Sequence, residues 1–281
     1  MTEYLNQVYN EDIMALMKKL PDKSVDMIYS DPDYNVGIKY NGKTYTRNFH
    51  EYIEWYVELA KESLRILKND GNMFLINYPR QNAFLWVNFL DEACEEVNEY
   101  AWVYNTNVGH SPKRFTTAHR TILHCRKSDK NRWYKDAVAE PYKNPTDRRI
   151  LENISNGSKG RMPYSWLYYN LVKNVSKDKT IHSCQIPLGL VETLIKASTK
   201  EKDLVLIHFG GSGSEIVLTK HLKRSYISAE IDPKYFKMIN ERLQRNGDIP
   251  VEYKLKLRKQ KVDEAYQLPL IHSGRLVAVN E

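Results

Sequence analysis

Short apolar runs alternate with amphipathic segments along most of the chain. The runs at residues 25–29 and 204–208 have the length and composition of buried strands, and residues 51–67 repeat apolar side chains at helical spacing. This alternation is typical of an α/β protein whose helices cover a largely parallel sheet.

The same pattern predicts the other elements. Further strands are expected at residues 7–9, 72–77, 100–104, 121–124 and 225–229, and residues 251–257 are a candidate for one more. Further helices are expected at residues 13–20, 81–95, 188–198, 214–222 and 234–243. Between residues 127 and 180 the periodicity fades. We therefore expect a sandwich of about seven strands with an irregular insertion.

The composition is that of an ordinary globular protein. Of the 281 residues, 42% are hydrophobic and 27% are charged. No apolar stretch reaches the roughly 18 residues that a membrane helix needs, and residues 1–10 have no signal-peptide pattern. Cys94, Cys125 and Cys184 are far apart and odd in number, which favours reduced thiols over a disulfide framework or a metal site. We expect a cytoplasmic protein with no membrane association and no metal.

Positive charge is concentrated in the middle of the chain. Residues 111–180 contain 16 lysines and arginines against 6 acidic residues, whereas the rest of the chain has a net charge of −3. Tryptophans and tyrosines are interleaved with these cations, a combination that suits phosphate contact and base stacking. The segment is a candidate nucleic-acid surface. The alternatives are a solvated charged loop and, for the aromatic residues, a small core of their own.

A candidate catalytic stretch follows the predicted strand at 25–29. Asp31 supplies a carboxylate that can accept a hydrogen from an amino group, the carbonyl of Pro32 is a second acceptor, and Tyr34 has a flat face on which a base can stack. Because the stretch follows a strand of an open α/β sheet, we expect it at the crevice where such sheets bind ligands. An ordinary Asp-Pro turn is the alternative interpretation.

A glycine-rich turn, Phe209 to Ser214, stands between a predicted strand and a predicted helix. Glycines let the backbone approach a cofactor closely, and the start of a helix favours a negative group. Glu230 ends the next strand, 17 residues after Gly213, where an acid would bind ribose hydroxyls. A nicotinamide cofactor would fit this turn equally well, but it leaves Asp31 and Tyr34 without a function.

Together, the two stretches resemble the β-class DNA amino-methyltransferases, which modify adenine N6 or cytosine N4. The family's catalytic motif, Asp-Pro-Pro-Tyr, is matched by Asp31, Pro32 and Tyr34, and it precedes the cofactor motif as in the β-class. The family's cofactor motif is Asp-Pro-Phe-x-Gly-Ser-Gly-Thr. The residues that match it are Phe209, Gly211, Ser212, Gly213 and, conservatively, Ser214.

Other parts of the resemblance lie outside these motifs. Asp12 stands where a family acid contacts the cofactor adenine, and residues 226–232, with Glu230, resemble the strand end that binds the ribose. Residues 182–188 resemble the element that cups the methionine end of the cofactor. Residues 115–127 resemble the strand that leads into the target-recognition region.

The resemblance implies a circularly permuted, Rossmann-like α/β methyltransferase sandwich that uses S-adenosylmethionine and binds double-stranded DNA. Residues 1–127 and 180–250 would form the catalytic and cofactor-binding domain, residues 128–179 an inserted basic recognition region, and residues 251–281 a C-terminal extension. A homodimer is a family-level expectation. The sequence leaves open which DNA sequence is recognised and whether a cognate restriction endonuclease exists.

The resemblance also implies direct methyl transfer to a base that is flipped out of the duplex, with no cysteine nucleophile and no metal. An acid in the first position of the catalytic motif favours adenine N6, because cytosine N4 enzymes of the family more often have serine there. Cytosine N4 methylation and RNA methylation are the alternatives within the enzyme class.

Four residues depart from the family's motifs. Asp33 replaces the second proline, and its charge is expected to raise the pKa of a neighbouring acid. Ile207 and His208 replace the Asp-Pro that opens the cofactor motif, of which the Asp helps hold the cofactor in the family. Ile186 replaces a lysine of the cupping element. These changes keep open the alternative of a DNA-binding subunit that has lost catalysis.

Overall fold

One mixed sheet of eight strands organises the fold. The computed structural model describes residues 2–105, 112–174, 176 and 179–255. The strands are β1 (Gln7–Tyr9), β2 (Val25–Ser30), β3 (Leu67–Asn77), β4 (Glu96–Val103), β5 (His119–Arg126), β6 (Trp166–Tyr168), β7 (Leu204–Phe209) and β8 (Ser225–Ala229).

The order of the strands creates a switch point in the middle of the sheet. The order is β1-β8-β7-β2-β3-β5-β4-β6, and β5 runs antiparallel to both of its neighbours. From β2 the chain proceeds toward one edge of the sheet, and from β7 toward the other. Open α/β sheets bind ligands where the strand order reverses in this way. The order agrees with the predicted α/β sandwich, and the strand before Asp31 precedes the strand before the glycine-rich turn in the chain while pairing with it in parallel.

Helices cover both faces of the sheet. They are α1 (Ile13–Met17), α2 (Phe49–Ile66), α3 (Pro79–Leu85), α4 (Asp91–Ala93), α5 (Arg148–Ser155), α6 (Leu188–Ser198), α7 (Ser214–His221) and α8 (Pro233–Gln244). One apolar core lies between the sheet and α1 to α3, and a second core contains side chains of α6, α7 and α8. Successive residues of β2 alternate between the two, with Ile28 in the first core and Met27 and Tyr29 in the second. In the described part of the chain, no helix is long and apolar enough to cross a membrane.

Part of the irregular segment belongs to the sheet. Residues 166–168 form β6, which pairs in parallel with β4 at the edge. The sequence pattern missed this strand because it is only three residues long and its outer side chains, Trp166 and Tyr168, are 55% and 52% exposed. The sheet therefore has eight strands instead of about seven.

Some cations of the basic segment serve the fold rather than a surface. Arg132 pairs with Asp26 and Asp203 at the amino ends of β2 and β7. Lys127 donates to two backbone carbonyls where α2 meets β3. Net charge in this segment consequently overstates its basic surface. The exposed cations include Arg148 and Arg149, which begin α5.

Several element boundaries differ from the predicted ones, most of all around α3 and at the start of β3. The predicted helix at 81–95 consists of α3, a π-helical turn at 86–90 and the short α4. The Asn-Asp-Gly sequence is typical of a break between a helix and a strand. Here it lies within β3 as an irregularity in the pairing with β2, so the strand begins at Leu67. Gly71 suits this position because a Cβ there would lie 2.8 Å from the carbonyl oxygen of Asp26.

The C-terminal extension is described only over residues 251–255. Residues 251–253 form a 3₁₀ turn where a strand was a candidate, and Lys254 forms a single bridge with Thr180. The rest of the predicted strand and of the extension lies outside the described residues.

Asp26 joins three parts of the fold at the amino end of β2. Its Oδ1 accepts a hydrogen bond from Lys68 Nζ (2.7 Å) and another from Arg132, and its Oδ2 accepts from the backbone nitrogen of Leu204 (2.8 Å). Burial alone would raise the pKa of Asp26, but these hydrogen bonds hold the pKa below its ordinary value. The carboxylate is thus a structural anion.

We expect Asp26→Ala to lower the free energy of unfolding by about 3 kcal/mol at pH 7, because Arg132 keeps its charge and loses one of its two buried partners, and the backbone nitrogen of Leu204 loses its acceptor. A group whose pKa is lowered in the folded state stabilises the fold above its unfolded pKa of about 3.9, and this contribution is lost as the pH falls through the folded value. The difference between wild type and variant should therefore shrink below about pH 4.

Urea unfolding at pH 7 and pH 3 measures both effects. Asp22→Ala is the matched control, because Asp22 is an exposed partner of Arg65 whose loss should change the stability by less than about 0.5 kcal/mol. A stability difference for the Asp26 variant that stays the same at both pH values would contradict the proposed role.

Candidate active site

The two sequence motifs meet at the carboxyl ends of β2 and β7. Ile28 pairs with Leu206 and Tyr29 with Ile207, so the residues that follow each strand emerge side by side. A cavity opens between them. Eight of the ten predicted site residues line it, namely Asp12, Asp31, Pro32, Tyr34, Phe209, Gly211, Ser212 and Glu230.

Asp31 is a half-buried acid with two neighbours that favour its ionised form. Burial raises its pKa to about 6, against the opposing effects of the Arg120 guanidinium and a hydrogen bond from the Tyr34 hydroxyl. The nearby charge of Asp33 raises the pKa further, as expected from the sequence, but burial is the larger cause. A carboxyl group with this pKa changes its charge close to neutral pH.

Tyr34 is more enclosed than the sequence suggested. Its ring is only 1% exposed, with the Arg120 guanidinium 4.5 Å from the ring centroid and Tyr78 against it edge-on. Gln81 Nε2 donates to its backbone carbonyl at 2.7 Å. The face expected to be open to a base is therefore covered in this conformation, and the hydroxyl is engaged with Asp31.

Arg120 is a functional residue that sequence reasoning missed. It is the first buried residue of β5 and is 8% exposed. Its guanidinium lies within 6 Å of the centroids of four aromatic rings, those of Tyr34, Tyr78, Trp102 and Tyr104. It is a buried cation close to Asp31 and holds Tyr34 in position. From the sequence alone, a buried arginine at the start of an apolar strand cannot be distinguished from a solvent-exposed one.

Asp33 supports the turn after β2. Its Oδ2 accepts from the backbone nitrogen of Asn35 (3.1 Å), and its carbonyl accepts from the hydroxyl of Tyr52 (2.7 Å). Burial raises the pKa of Asp33 above its ordinary value. The aspartate that replaces the family's second proline is thus integrated into the turn.

The glycine-rich turn requires glycine at two positions. Gly211 has a φ of +51°, and a Cβ there would lie 3.1 Å from the ring of His182, which packs directly over the turn. Gly213 has a φ of +74° at the start of α7 and lies against Ile239. The turn is consequently held between the cupping element on one side and α8 on the other.

Two predicted cofactor residues lie behind the cavity rather than in its lining. Gly213 starts α7, and the hydroxyl of Ser214 is bonded to Ser212 Oγ (2.9 Å), Gln185 Nε2 (3.3 Å) and Arg242 (3.2 Å). These residues fix the shape of the turn. The Ser214 hydroxyl is engaged within the turn and by Gln185 and Arg242, whereas the next residue, Glu215, reaches the cavity.

Glu230 and Asp12 face the same side of the cavity. Glu230 accepts hydrogen bonds from the backbone nitrogens of Gly211 (2.7 Å) and Asp232 (2.8 Å), and burial raises its pKa. Asp12 is exposed and also caps α1 by accepting from the nitrogen of Met14 (2.8 Å). Both carboxylates retain acceptor capacity toward the cavity.

The polar loop between β2 and α2 folds over the cavity. Tyr40, Tyr45 and Arg47 line it, and the side chain of Asn41 donates to Asp232 at 3.1 Å. The sequence predicted a loop able to close over a substrate, and the hydrogen bond to Asp232 links this loop to the cofactor-motif half of the cavity.

The departures from the family's motifs are accommodated in the apolar cores. Ile186 and Ile207 are each 1% exposed in the second core. His208 is fully buried, and burial lowers its pKa to about 3, so the ring is neutral. The chain therefore has no acid at position 207, where the family's cofactor motif has one.

Comparisons with known proteins agree with this geometry. A model of the N6/N4 DNA methylase family matches residues 25–241. The chain belongs to this family. The methylase is 27% identical over 267 residues to the type II methyltransferase M.BglII of Bacillus subtilis, covering 88% of this chain and 72% of the relative. It is 26% identical over 263 residues to the DNA adenine methyltransferase YhdJ of Escherichia coli (strain K12), covering 90% and 88%.

Solved structures share the fold. The PvuII DNA methyltransferase, which is cytosine-N4-specific, superposes with a TM-score of 0.63 at 19% identity, covering 87% of this methylase and 93% of that chain. The putative DNA modification methylase TTHA0409 of Thermus thermophilus, in complex with S-adenosyl-L-methionine, has a TM-score of 0.58 at 17% identity, covering 87% and 95%. The family uses S-adenosylmethionine as methyl donor.

The charge of the cavity suits this donor. Among the described residues, six acids line the cavity against one arginine, Arg47, and burial lowers the pKa of His182 to about 4, which keeps that ring neutral. The acids are Asp12, Asp31, Asp33, Glu215, Glu230 and Asp232. S-adenosylmethionine is a cation whose ribose hydroxyls and amino groups are hydrogen-bond donors. Acceptor side chains of negative charge are the appropriate partners for such a molecule.

Proposed function

We propose that the methylase transfers a methyl group from S-adenosylmethionine to N6 of adenine in double-stranded DNA. The observation that carries the proposal is the half-buried carboxylate of Asp31, which faces the same cavity as Glu230 and the glycine-rich turn. An acid at the head of the catalytic motif supports adenine as the target, and one of the relatives is named a DNA adenine methyltransferase. Cytosine N4 is the alternative, because a structural relative is specific for it.

The chemistry follows from what Asp31 can accept. A flipped adenine brings its N6 amino group into the cavity, since this nitrogen is not reachable within the base stack. Asp31 and the carbonyl of Pro32 accept hydrogen bonds from the two amino hydrogens. These bonds keep electron density on the nitrogen and aim its lone pair at the methyl group. S-adenosylmethionine supplies the methyl group as an electrophile on a positively charged sulfur. Catalysis by the chain consists of positioning and electrostatic stabilisation.

Tyr34 has two tasks in this proposal. Its hydroxyl orients Asp31 through a hydrogen bond, and its ring stacks on the target base. Because the ring is 1% exposed, stacking requires the covering loop or a neighbouring side chain to move when DNA binds. Asp12 and Glu230 accept hydrogen bonds from the adenosine part of the cofactor, and Phe209 gives its adenine an apolar contact.

The alternatives make different demands on the cavity. A nicotinamide dinucleotide brings a pyrophosphate, which six acidic residues would repel. A subunit that has lost catalysis would bind DNA without binding S-adenosylmethionine. Methyl transfer to unmethylated duplex DNA, followed by identification of the modified base, tests the proposal against both of these and against cytosine N4.

The pH dependence of methyl transfer should follow Asp31. Ionised Asp31 is the form that accepts amino hydrogens, so kcat/KM for DNA at saturating cofactor is expected to rise about tenfold per pH unit below about pH 6 and to level off above it. Asp33→Asn should move this limb slightly to lower pH, because it removes a charge that raises the pKa of Asp31. A profile without an acid limb between about pH 5 and pH 7 would contradict the assignment.

We also propose that the exposed cations around α5, within the segment 128–179, contact the DNA backbone. Arg148, Arg149, Lys143 and Lys159 are exposed, unlike Arg132, which is committed to the fold. The half-exposed aromatic side chains of β6 lie in the same segment. A homodimer and a cognate restriction endonuclease are expectations from the family alone.

Removing Arg148 and Arg149 together is expected to weaken DNA binding and to reduce the slope of log K against log salt concentration by about 2. Each arginine that neutralises a phosphate contributes about one released counterion. Fluorescence anisotropy of a labelled duplex at several salt concentrations measures the slope. The double variant Lys18→Ala and Lys200→Ala removes two exposed lysines outside the segment and should keep the slope of wild type. Equal slopes for both double variants would remove α5 from the interface.

A further inference from the structure

Glu215 is a buried acid in the cavity that the proposed mechanism does not use. It lies in the first turn of α7, directly after the glycine-rich turn, and is 6% exposed while lining the cavity. Among the described residues, no lysine, arginine or histidine forms an ion pair with it. Its carboxylate is bonded to its own backbone nitrogen, and the charge of Arg242 opposes the rise of its pKa.

The electrostatic surroundings of Glu215 favour its neutral form, because burial outweighs the opposing charge of Arg242. Burial, together with the charge of Asp31, raises the pKa of Glu215 to about 7. An anion with little solvent and no paired cation is unfavourable unless a ligand supplies the cation. The arrangement therefore calls for a positively charged hydrogen-bond donor in the cavity.

Glu215 lies on the Asp31 side of the cavity. Its charge acts on Asp31 and on Tyr29, the residue of β2 that pairs with Ile207. Glu230, which directly follows β8, lies on the other side of β7. A cofactor whose ribose is held by Glu230 and whose methyl group points to Asp31 brings its methionine part toward Glu215.

Position 207 lacks the acid that the family's cofactor motif has, so another acid is needed on this side of the cavity. The family's cofactor motif has an acid at this position, whereas Ile207 is apolar and 1% exposed in the second core. Tyr29 is the neighbour that both residues share. The chain has lost one carboxylate and carries another on the same side of the cavity, on the adjacent helix.

We propose that Glu215 binds the α-ammonium group of the methionine part of S-adenosylmethionine, in place of the acid missing at position 207. The ammonium is the one group of the cofactor that is both cationic and a hydrogen-bond donor, so it completes the pairing that Glu215 lacks in the free protein. This inference rests on the proposed function, because it assumes that the cavity binds this cofactor.

Calorimetric binding of two ligands tests the inference without any turnover. S-adenosylhomocysteine retains the α-ammonium group, whereas 5′-methylthioadenosine lacks the whole amino-acid part. Glu215→Gln is expected to weaken S-adenosylhomocysteine binding by about 10- to 100-fold and to leave 5′-methylthioadenosine binding within about twofold of wild type. Adding Ile207→Asp to this variant should restore at least about tenfold of the lost affinity.

The control is Glu51→Gln, which changes an exposed acid in the first turn of another helix and should bind both ligands as wild type does. The inference is overturned if Glu215→Gln binds S-adenosylhomocysteine as tightly as wild type, or if it loses both ligands to the same extent. A wild-type protein that binds neither ligand would overturn the proposed function, and this inference with it.

Discussion

Replacing Asp31 with asparagine is expected to lower the rate of methyl transfer by about 100- to 1,000-fold and to leave the affinity for S-adenosylhomocysteine within about twofold of wild type. The amide retains the volume of the carboxylate and can still accept the hydrogen bond from Tyr34. It removes the negative charge toward which the amino hydrogens of the target base are drawn. Single-turnover transfer of a labelled methyl group measures the rate, and calorimetry measures the affinity.

Asp33→Asn is the matched control for this experiment. Asp33 lies two residues away, and burial raises its pKa as well, but its side chain supports the turn and has no part in the proposed transfer. We expect this variant to keep activity within about tenfold of wild type. If Asp31→Asn lost activity and cofactor binding together, Asp31 would have a structural role instead of a catalytic one.

The second large effect is expected from Arg120→Met. This change removes the buried cation that opposes protonation of Asp31 and covers the ring of Tyr34. The acid limb of the pH profile should move upward by about one pH unit, and activity at pH 7 should fall by about tenfold. Raising the pH to about 9 should recover the part of the loss that comes from protonation of Asp31.

Arg120→Lys separates charge from shape in the same position. Lysine keeps the cation but lacks the flat guanidinium that contacts four rings, so the acid limb should stay close to that of wild type. A purely structural role for Arg120 would predict an equal loss of rate at every pH in both variants. That result would contradict its proposed action on Asp31.

The central part of the fold was predictable because its elements are long or strongly patterned. β2 and β7 are buried along almost their whole length because helices cover both faces of the sheet, and this produces the mostly apolar runs at 25–29 and 204–208. Edge elements carry no such pattern. β6 has three residues and half-exposed aromatic side chains, so its pairing with β4 depends on tertiary contacts that no local signal records.

The candidate site was predictable where the backbone makes a special demand. Gly211 is required by its positive φ and the contact with His182, and Asp31 follows directly from the end of a central strand. The environment of each side chain was not predictable. Arg120 and Glu215 look like ordinary charged residues of a strand and a helix, and only the folded chain brings Arg120 to the ring of Tyr34 and Glu215 to the cavity.

The burial of Tyr34 is another feature that the sequence could not predict. Its position in the motif suggested an open stacking face, yet the ring is covered by a cation from β5, a strand that begins only at His119. Long-range packing of this kind is set by the whole fold. The motif identifies the residue, and the structure determines what must move before the residue can contact a base.

The most direct test of the central claim is nucleoside mass spectrometry of DNA treated with the purified protein. Unmethylated duplex DNA of mixed sequence is incubated with the protein and S-adenosylmethionine, digested to nucleosides and analysed, with Asp31→Asn as the impaired control. We predict N6-methyladenine in the wild-type sample and at least about 100-fold less in the control at early times. N4-methylcytosine would keep the mechanism and contradict the choice of base. No modified base, together with no binding of S-adenosylhomocysteine, would contradict the account and favour a subunit that has lost catalysis.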